Sequence, residues 1–297
     1  MKYRKYTAED FDLVETFLKG CHYEGGVTKS GLEQRTSILN FDEEEKFVGF
    51  AMQWRNNLHD RTITVEICIH PEKRRKGLGT SLFNHLFQEF PIKENDFAID
   101  IMCSNGNIAA QNFSESIGLE NYLICHNNIF KIKDLPLVES DLEFVKLSEF
   151  FKVPKNRERV KVFHCSQYDR DHEPFVPVTK NKEVRYDYYR EGDHEFGVVL
   201  LKENDIVGCS LAYMNFECEL DRDIHDVTCL HGYAIGETLE EEAERVQALY
   251  SYQAKLLKDE NHKNIYLEFD SIENISKLML EWIPYTAKPL LRFQKRL

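Results

Sequence analysis

The chain has 297 residues, 42% of them hydrophobic and 30% charged, and a formal net charge of −13 at pH 7. Nucleic-acid phosphates bind basic surfaces, so the negative net charge argues against a nucleic-acid partner. A membrane span needs about eighteen consecutive apolar residues, and the sequence has no such run. Because "MKYRKYTAEDF" lacks a secretion signal and the eight cysteines include no CxxC pair, we expect a cytoplasmic protein without a disulfide framework or a metal site.

The first half of the chain alternates strand-like and helix-like segments. Three runs rich in β-branched and aromatic residues predict strands, namely "KFVGFAMQW", "TITVEICIH" and "DFAIDIMC". In "TSLFNHLFQEF" the apolar residues from Leu82 to Phe90 recur at helical spacing. The segment "NIAAQNFSESIGL" predicts a second helix, which ends near Gly118.

The second half repeats this order of elements. "NDIVGCSLAYM" matches "EKFVGFAMQW" in its internal Val-Gly pair, and "HDVTCLHGYAI" takes the place of "TITVEICIH". The helical "LEEEAERVQALYSYQAKLLKDE", the strand "NIYLEFDS" and the segment "IENISKLMLEW" follow. The repetition predicts an α/β (α+β mixed sheet) protein in which one unit, a central mixed β-sheet flanked by helices, occurs twice. We place the two domains at residues 1–135 and 136–297, with the boundary in "KDLPLVESD".

Residues 152–192 form a polar, tyrosine-rich segment with prolines. It is too long for an ordinary connection, so it predicts a functional loop or an edge of the second domain. Within it, "HCSQYDRDH" offers His164, Cys165, Asp169 and His172 as possible metal ligands. Their spacing matches no familiar metal site, and we interpret the stretch as a polar loop.

The stretch "VEICIHPEKRRKGLGTSLFNHLFQEF" joins a strand, a basic turn with two glycines and a helix start. The first N–H groups of a helix lack hydrogen-bond partners and lie at the positive end of its dipole. A phosphate can accept hydrogen bonds from these groups and also compensates the positive charge. Gly77 and Gly79 let the backbone approach a ligand closely, and consecutive amides can surround an oxygen. The sequence therefore predicts an anion site, with added positive charge from residues 73–76.

Two phosphate motifs fit this stretch poorly. The loop GxxxxGK[ST] is absent, and the dinucleotide pattern GxGxxG has Leu82 where its third glycine belongs. Asp96 and Asp100 nevertheless lie where a ribose-binding acid would be expected. A nicotinamide-dependent oxidoreductase therefore stays an alternative.

The pattern RxxGxG from Arg74 to Gly79, preceded by "IHP", resembles the [RQ]xxGx[GA] turn of the GNAT superfamily of acyl-CoA-dependent N-acetyltransferases. The segment "IMCSNGNIAAQNFSESIGL" resembles the family's Asn-x-x-Ala…Phe-Tyr-Glu-x-x-Gly-Phe stretch. These two motifs occur in the expected order, and the resemblance spans most of residues 1–130. Together with the repeated order of elements, it implies two tandem GNAT-like domains, a catalytic one followed by a degenerate one.

The resemblance implies acetyl-CoA as co-substrate and assigns its contacts position by position. In the family, the turn grips the pyrophosphate, and the preceding strand binds the pantetheine arm through its main chain. The pyrophosphate would then meet the turn that begins at Arg74, through the amides of Arg75, Lys76, Gly77, Leu78, Gly79 and Thr80. The pantetheine arm would meet Ile67, Cys68 and Ile69, and Asn107 occupies the position of a cofactor-contacting Asn.

Acetyl transfer to an amine needs a base for the amine, and the leaving thiolate benefits from an acid. Along "ITVEICIH", alternation places Thr64, Glu66, Cys68 and His70 on one face. We predict Glu66 as the base, because a carboxylate beside the thioester can draw the amine proton through water. Asp100 on the next strand is the reserve candidate.

The position of the acid departs from the family pattern. Where the family commonly has Phe-Tyr, this chain has Phe113-Ser114. Ser114 is thus the candidate at the acid position, while protonation by Tyr122 and unaided departure of the thiolate are alternatives. We expect Ser114→Tyr to leave activity intact or to raise it.

The second half lacks the basic turn. Its stretch "GETLEEEAER" crowds glutamates at a helix start, where they suit the dipole but would repel a pyrophosphate. We therefore predict an enzyme whose first domain transfers acetyl from acetyl-CoA to a primary amine of a small molecule or peptide. The acceptor cleft would involve residues 19–31 and the tyrosine-rich segment. The rival hypothesis is a non-catalytic acyl-CoA-binding or interaction module.

Overall fold

The computed structural model describes residues 1–21, 23, 27–185, 192–216, 224, 226–283 and 289–297. These residues form two compact units, Met1–Tyr122 with Leu291–Leu297, and Leu123–Leu290. Each unit has a β-sheet flanked by helices, which confirms the predicted fold class. The division into domains 1–135 and 136–297 stays a prediction. Among the described helices, none combines the length and apolar character of a membrane span.

The first unit is built around a mixed sheet in the order β1-β2-β3-β4-β5-β12. Its strands are β1 (Lys2–Lys5), β2 (Thr36–Phe41), β3 (Phe47–Arg55), β4 (Thr62–Ile69), β5 (Ala98–Ser104) and β12 (Leu290–Arg296). Its helices are α1 (Phe11–Gly20), α2 (Lys29–Glu33), α3 (Leu78–Glu89) and α4 (Ile108–Ser116). Buried residues of α1 and α2 pack with Phe50, Met52 and Cys68 on one face of the sheet. On the other face, Leu82 of α3 lies against Gly49.

The second unit has a sheet in the order β6-β11-β10-β9-β8-β7. Its strands are β6 (Glu120–Lys131), β7 (Glu143–Lys146), β8 (Val198–Lys202), β9 (Asp205–Tyr213), β10 (Val227–Ala234) and β11 (Asn264–Asp270). Its helices are α5 (Leu147–Phe150), α6 (Lys155–His172), α7 (Leu239–Asp259) and α8 (Ser276–Trp282). The largest core cluster joins α7 and α8 to the apolar face of β10 and β11.

Strand pairing in the two units agrees residue by residue. In each, the register shifts opposite the glycine of a Val-Gly pair, which is Gly49 in β3 and Gly208 in β9. The parallel pair β4–β5 begins at Thr62 and the parallel pair β10–β11 begins at Val227, and each is formed by three residue pairs. Such shared irregularities indicate that both units derive from one folding pattern, as the repeated order of elements predicts.

One sequence-based prediction was wrong. Much of the segment predicted as a polar loop or sheet edge is the helix α6, and "HCSQYDRDH" lies within it. The buried residues of α6 are mostly polar: Asn156, Val160, His164, Asp171 and His172. The sequence of α6 therefore has no apolar stripe at helical spacing. Helix predictions rely on such a stripe. Residues 186–191 of the tyrosine-rich segment lie outside the described residues.

A charged cluster fixes the chain entry into α1. Asp10 accepts from Arg4 at 2.6 and 2.7 Å, and its Oδ2 also accepts from the Thr7 amide at 2.9 Å. The hydrogen bonds from Arg4, together with those from Thr7, outweigh burial and lower the pKa of Asp10 to about 2. Asp10 therefore stabilises the first unit as a carboxylate.

Asp10→Asn is expected to destabilise the first unit by about 1–2 kcal/mol at pH 7. This is less than the pKa shift alone would give, because solvent screens the half-exposed Arg4. The folded-state pKa of Asp10 lies below its unfolded value of about 4, so the stabilisation is complete above that pH. It should be lost as the pH falls toward 2. Urea unfolding of both proteins between pH 7 and pH 2 tests this, and a difference that does not shrink with acid would contradict it.

Candidate functional site

The strands β4 and β5 of the first unit separate partway along their length. Their parallel pairing ends at Thr64↔Asp100, although β4 continues to Ile69 and β5 to Ser104. We call the gap beyond this pair the fork. Main-chain groups of β4 that point away from β3 are directed into the fork, because no further β4–β5 pair joins the strands within the described chain.

Strand alternation decides which main-chain groups face the fork. The His70 amide donates to the Val48 carbonyl of β3 at 2.9 Å. By the period of two, the Cys68 amide also points toward β3, whereas those of Ile67 and Ile69 point into the fork. The geometry thus favours Ile67 and Ile69 over Cys68 as main-chain partners of a ligand.

Cys68 projects its side chain into the core formed with α1 and α2. Burial raises the pKa of the Cys68 thiol, with a further rise from Cys21 beside it. The thiol therefore stays protonated at neutral pH and is a poor nucleophile. None of the described cysteines forms a disulfide.

After β4, the basic residues shape the turn that the sequence singled out. Lys73 pairs with Asp42 at 3.0 Å, which anchors the turn to the end of β2. Arg74 Nε donates to the Ile69 carbonyl at 2.9 Å, and Lys76 Nζ donates to the Glu72 carbonyl at 3.2 Å. These three basic side chains therefore stabilise the turn itself. The sequence alone predicts instead that they add positive charge for the ligand.

The turn ends at the start of α3 with two residues in the left-handed region, Arg75 at φ 63° and Gly77 at φ 76°. The first bond into the helix runs from the Ser81 amide to the Gly77 carbonyl at 3.0 Å. By helix geometry, the amides of Leu78, Gly79 and Thr80 have no acceptor within the helix. Gly77 offers no capping side chain, and the first turn of α3 contains no acidic residue. This helix start is therefore well suited to an anion.

The second glycine of the turn has a packing role. A Cβ at Gly79 would lie 3.1 Å from the Phe113 ring of α4, which is tighter than ordinary contact. The glycine thus lets α3 and α4 approach each other beside the predicted anion site. The sequence offered no sign of this contact.

Asn107 and Ser114 mark the two ends of α4. Asn107 is exposed and caps the helix, since its Oδ1 accepts from the Ala110 amide at 3.1 Å. Ser114 is fully buried and donates its hydroxyl proton to the Ala110 carbonyl at 3.0 Å. A tyrosine there would have to displace its neighbours, so packing does not support the expectation that Ser114→Tyr keeps or raises activity.

Glu66 lies on the α1–α2 face of β4. It is half-buried, and its cross-strand partner is Met52, which belongs to the core cluster on that face. The residues next to this face include part of the predicted acceptor loop. Residues 22 and 24–26 of that loop lie outside the described residues.

Asp100, the reserve candidate for the base, is already engaged. It is fully buried, and Arg292 of β12 donates to it at 2.6 and 3.3 Å. Its carboxylate oxygens are therefore already hydrogen-bonded and are not exposed to an incoming amine. Asp96, the other acid considered for a dinucleotide ribose, pairs with Arg55 at 2.6 Å. Glu66 therefore stays the candidate base, and the pairing of both aspartates with arginines weakens the dinucleotide alternative.

The second unit satisfies the equivalent groups with its own side chains. At the start of α7, Thr238 accepts from the Glu241 amide at 3.2 Å, and Glu241 accepts from the Glu237 amide at 2.7 Å. In β10, the Gly232 amide, which corresponds by register to that of Ile67, donates to the Tyr250 hydroxyl at 3.0 Å. In the second unit, the amides at the helix start and the amide of β10 thus already have side-chain acceptors.

Residues 6–119 match the family described as the acetyltransferase (GNAT) family. None of the curated proteins matches the sequence significantly. Among solved structures, the chain is similar to a GCN5-related N-acetyltransferase from Sphaerobacter thermophilus, with a TM-score of 0.66, 13% identity, and coverage of 99% of this chain and 95% of that one.

Two further solved structures show the same fold across 99% of this chain. One contains the glucosamine N-acetyltransferase region of a fungal multi-domain GH3 β-N-acetylglucosaminidase, with a TM-score of 0.65, 14% identity and 38% of that chain covered. The other is a tandem GNAT protein from the clavulanic acid biosynthesis pathway, with a TM-score of 0.57, 12% identity and 98% of that chain covered. These likenesses confirm the predicted tandem fold.

Proposed function

We propose that this chain is an acetyl-CoA-dependent N-acetyltransferase, because residues 6–119 match the acetyltransferase (GNAT) family, whose members transfer acyl groups from acyl-CoA. Its acceptor is a primary amine of a small molecule or peptide, which attacks directly in a ternary complex. The observation that carries the proposal is the uncapped start of α3, where three helix amides follow a glycine that has no capping side chain.

The same residues account for the binding of acetyl-CoA. The amides of Leu78, Gly79 and Thr80 hold the pyrophosphate, and the exposed Arg75 adds charge at the rim. Ile67 and Ile69 offer main-chain groups to the pantetheine arm, as another β-strand would. The exposed Asn107 lies at the start of α4, where its side-chain nitrogen can reach the same ligand.

Acetyl-CoA supplies a thioester carbonyl carbon that is open to attack by a neutral amine. Glu66 acts as the general base and accepts the amine proton through an intervening water molecule. The Ile67 amide is directed into the fork and donates to the thioester oxygen, where negative charge develops. Positioning by the two strands supplies part of the remaining rate enhancement.

Ser114 is poorly placed to protonate the leaving thiolate. Its hydroxyl proton is committed to the Ala110 carbonyl within a fully buried helix turn. We therefore propose that the thiolate leaves without help from Ser114, either unaided or protonated by Tyr122.

Ser114→Ala is accordingly expected to change kcat by a factor of no more than about 3, because an acid in the reaction would contribute about a hundredfold or more. Steady-state turnover at saturating acetyl-CoA measures this. Tyr122→Phe is the companion variant. A loss of about a hundredfold in Ser114→Ala, with acetyl-CoA binding retained, would restore Ser114 as the acid.

The test of the function is release of free CoA thiol in the presence of a panel of small amines and peptides. We expect a thermal shift with acetyl-CoA and turnover with at least one amine class. Binding without turnover on any amine would favour the rival, a non-catalytic acyl-CoA-binding module. A thermal shift with NAD(P) in place of acetyl-CoA would instead favour an oxidoreductase.

A further inference from the structure

A group of metal-ligand side chains lies on one face of the β6–β11 pair in the second unit. Cys125 and Asp270 are cross-strand partners, and Glu268 lies two positions from Asp270 on the same face. The Cys125 Sγ and one carboxylate oxygen from each acid all lie within 4.8 Å of one another. A single thiol and two carboxylates therefore converge from two strands, as the ligands of one ion do.

His172, the last residue of α6, brings a nitrogen to the same place. Its Nε2 lies 3.7 Å from Asp270 Oδ2. Its Nδ1 lies 3.0 Å from the Tyr168 carbonyl, and it must be the donor there because a carbonyl only accepts. Metal-binding histidines are commonly oriented in this way, with the second ring nitrogen donating to a carbonyl.

The spacing between His172 and Asp270 also suits an ion between them. Two tetrahedral ligands at about 2.0–2.2 Å from a metal lie about 3.3–3.6 Å from each other. The observed 3.7 Å is close to that separation and longer than a direct hydrogen bond.

The surrounding groups point to a cation as well. The Tyr266 hydroxyl donates to Glu268 Oε2 at 2.6 Å and fixes that carboxylate from behind. Asp270 Oδ1 is buried without a hydrogen-bond partner in the described chain, and so is the Oδ1 of Asn127. Asn127 is only 4% exposed and pairs with Glu268 across the strands. Buried oxygens of this kind are almost always satisfied, and a cation would satisfy Asp270.

We propose that Cys125, His172, Glu268 and Asp270 bind a divalent metal ion in tetrahedral geometry, with Zn²⁺ as the expected ion. Sulfur, nitrogen and oxygen ligands together suit Zn²⁺, whereas Ca²⁺ and Mg²⁺ prefer oxygen alone. The ion would join the end of α6 to β6 and β11 within the second unit. This site differs from the sequence-based expectation of no metal, because its ligands come from three distant segments with no motif spacing.

The test uses the full chain stripped of metal by a chelator. Calorimetry with Zn²⁺ should give one ion per chain, and Co²⁺ should give the absorption band of a thiolate ligand. Glu268→Gln keeps an acceptor for Tyr266 at an exposed position, so we expect it to fold as the parent chain does. It should weaken Zn²⁺ binding by about tenfold or more. Cys125→Ser should abolish the Co²⁺–thiolate band.

Cys165→Ser is the matched control, since Cys165 lies on α6 outside the cluster and forms no disulfide. It should leave the Zn²⁺ affinity and the Co²⁺ band unchanged. Absence of Zn²⁺ binding to the stripped chain would overturn the proposal. Unchanged Zn²⁺ affinity in Glu268→Gln, or a Co²⁺–thiolate band that persists in Cys125→Ser, would overturn it too.

Discussion

Gly77→Asp is expected to weaken acetyl-CoA binding by about a hundredfold. The new carboxylate would stand at the start of α3, beside the amides proposed to hold the pyrophosphate. A unit charge about 5 Å from a phosphate costs about 3 kcal/mol at an effective dielectric constant of about 20. The effect should shrink as salt is added, because exposed charges are screened.

Gly77→Asn is the matched control for this variant. Its side chain has the same shape without the charge, and Asn tolerates the left-handed region about as well as Asp does. A Cβ at position 77 would meet no heavy atom within 4 Å among the described residues, so both side chains fit. Calorimetry with acetyl-CoA should separate the two variants by at least about tenfold. Equal affinities would show that the pyrophosphate does not bind at this helix start.

The second unit contains a natural counterpart of Gly77→Asp. The start of α7 carries Thr238 as a cap and glutamates in its first turn. The hydrogen bond from the Glu237 amide lowers the pKa of Glu241, so the carboxylate stays charged beside the helix start. We therefore expect acetyl-CoA to bind at one site per chain, in the first unit.

Glu66→Gln is expected to lower kcat by about 10²–10⁴-fold, the usual contribution of a general base. Glutamine keeps the size of the side chain but cannot accept the amine proton. The Kd for acetyl-CoA should be unchanged, because the proposed contacts with the ligand come from the main chain of β4 and from α3. The deficit should narrow at high pH, where the amine loses its proton to solvent.

Steady-state kinetics across a range of pH measure this effect, with acetyl-CoA binding followed separately. Glu115→Gln is the control, since Glu115 is an exposed carboxylate on α4. A loss of less than about tenfold in Glu66→Gln, at every pH, would contradict the assignment of the base.

Local patterns made the first unit largely predictable. The helix α3 has apolar residues at helical spacing, and its buried positions include Leu82 and Leu86. The alternation of β4 predicted that Glu66 and Cys68 share a face, and their cross-strand partners Met52 and Phe50 belong to one core cluster. Each of these features depends on residues close together in the chain, which is why the sequence reveals them.

Long-range pairs escaped sequence reasoning. Asp100 looked like a reserve base because its partner Arg292 lies 192 positions away, on a strand at the other end of the chain. β12 sits beside β5 in the first unit, so a fragment limited to residues 1–135 would lack that strand. The helix α6 was missed for another reason, since it buries His164 and Asp171 where a helix usually buries apolar residues.

The most direct test of the central claim is a crystal structure of the chain with acetyl-CoA. We predict pyrophosphate oxygens within about 3.2 Å of the amide nitrogens of Leu78, Gly79 and Thr80. A pyrophosphate bound elsewhere, for example at the start of α7, or a first unit that stays free of ligand at saturating acetyl-CoA, would contradict the account.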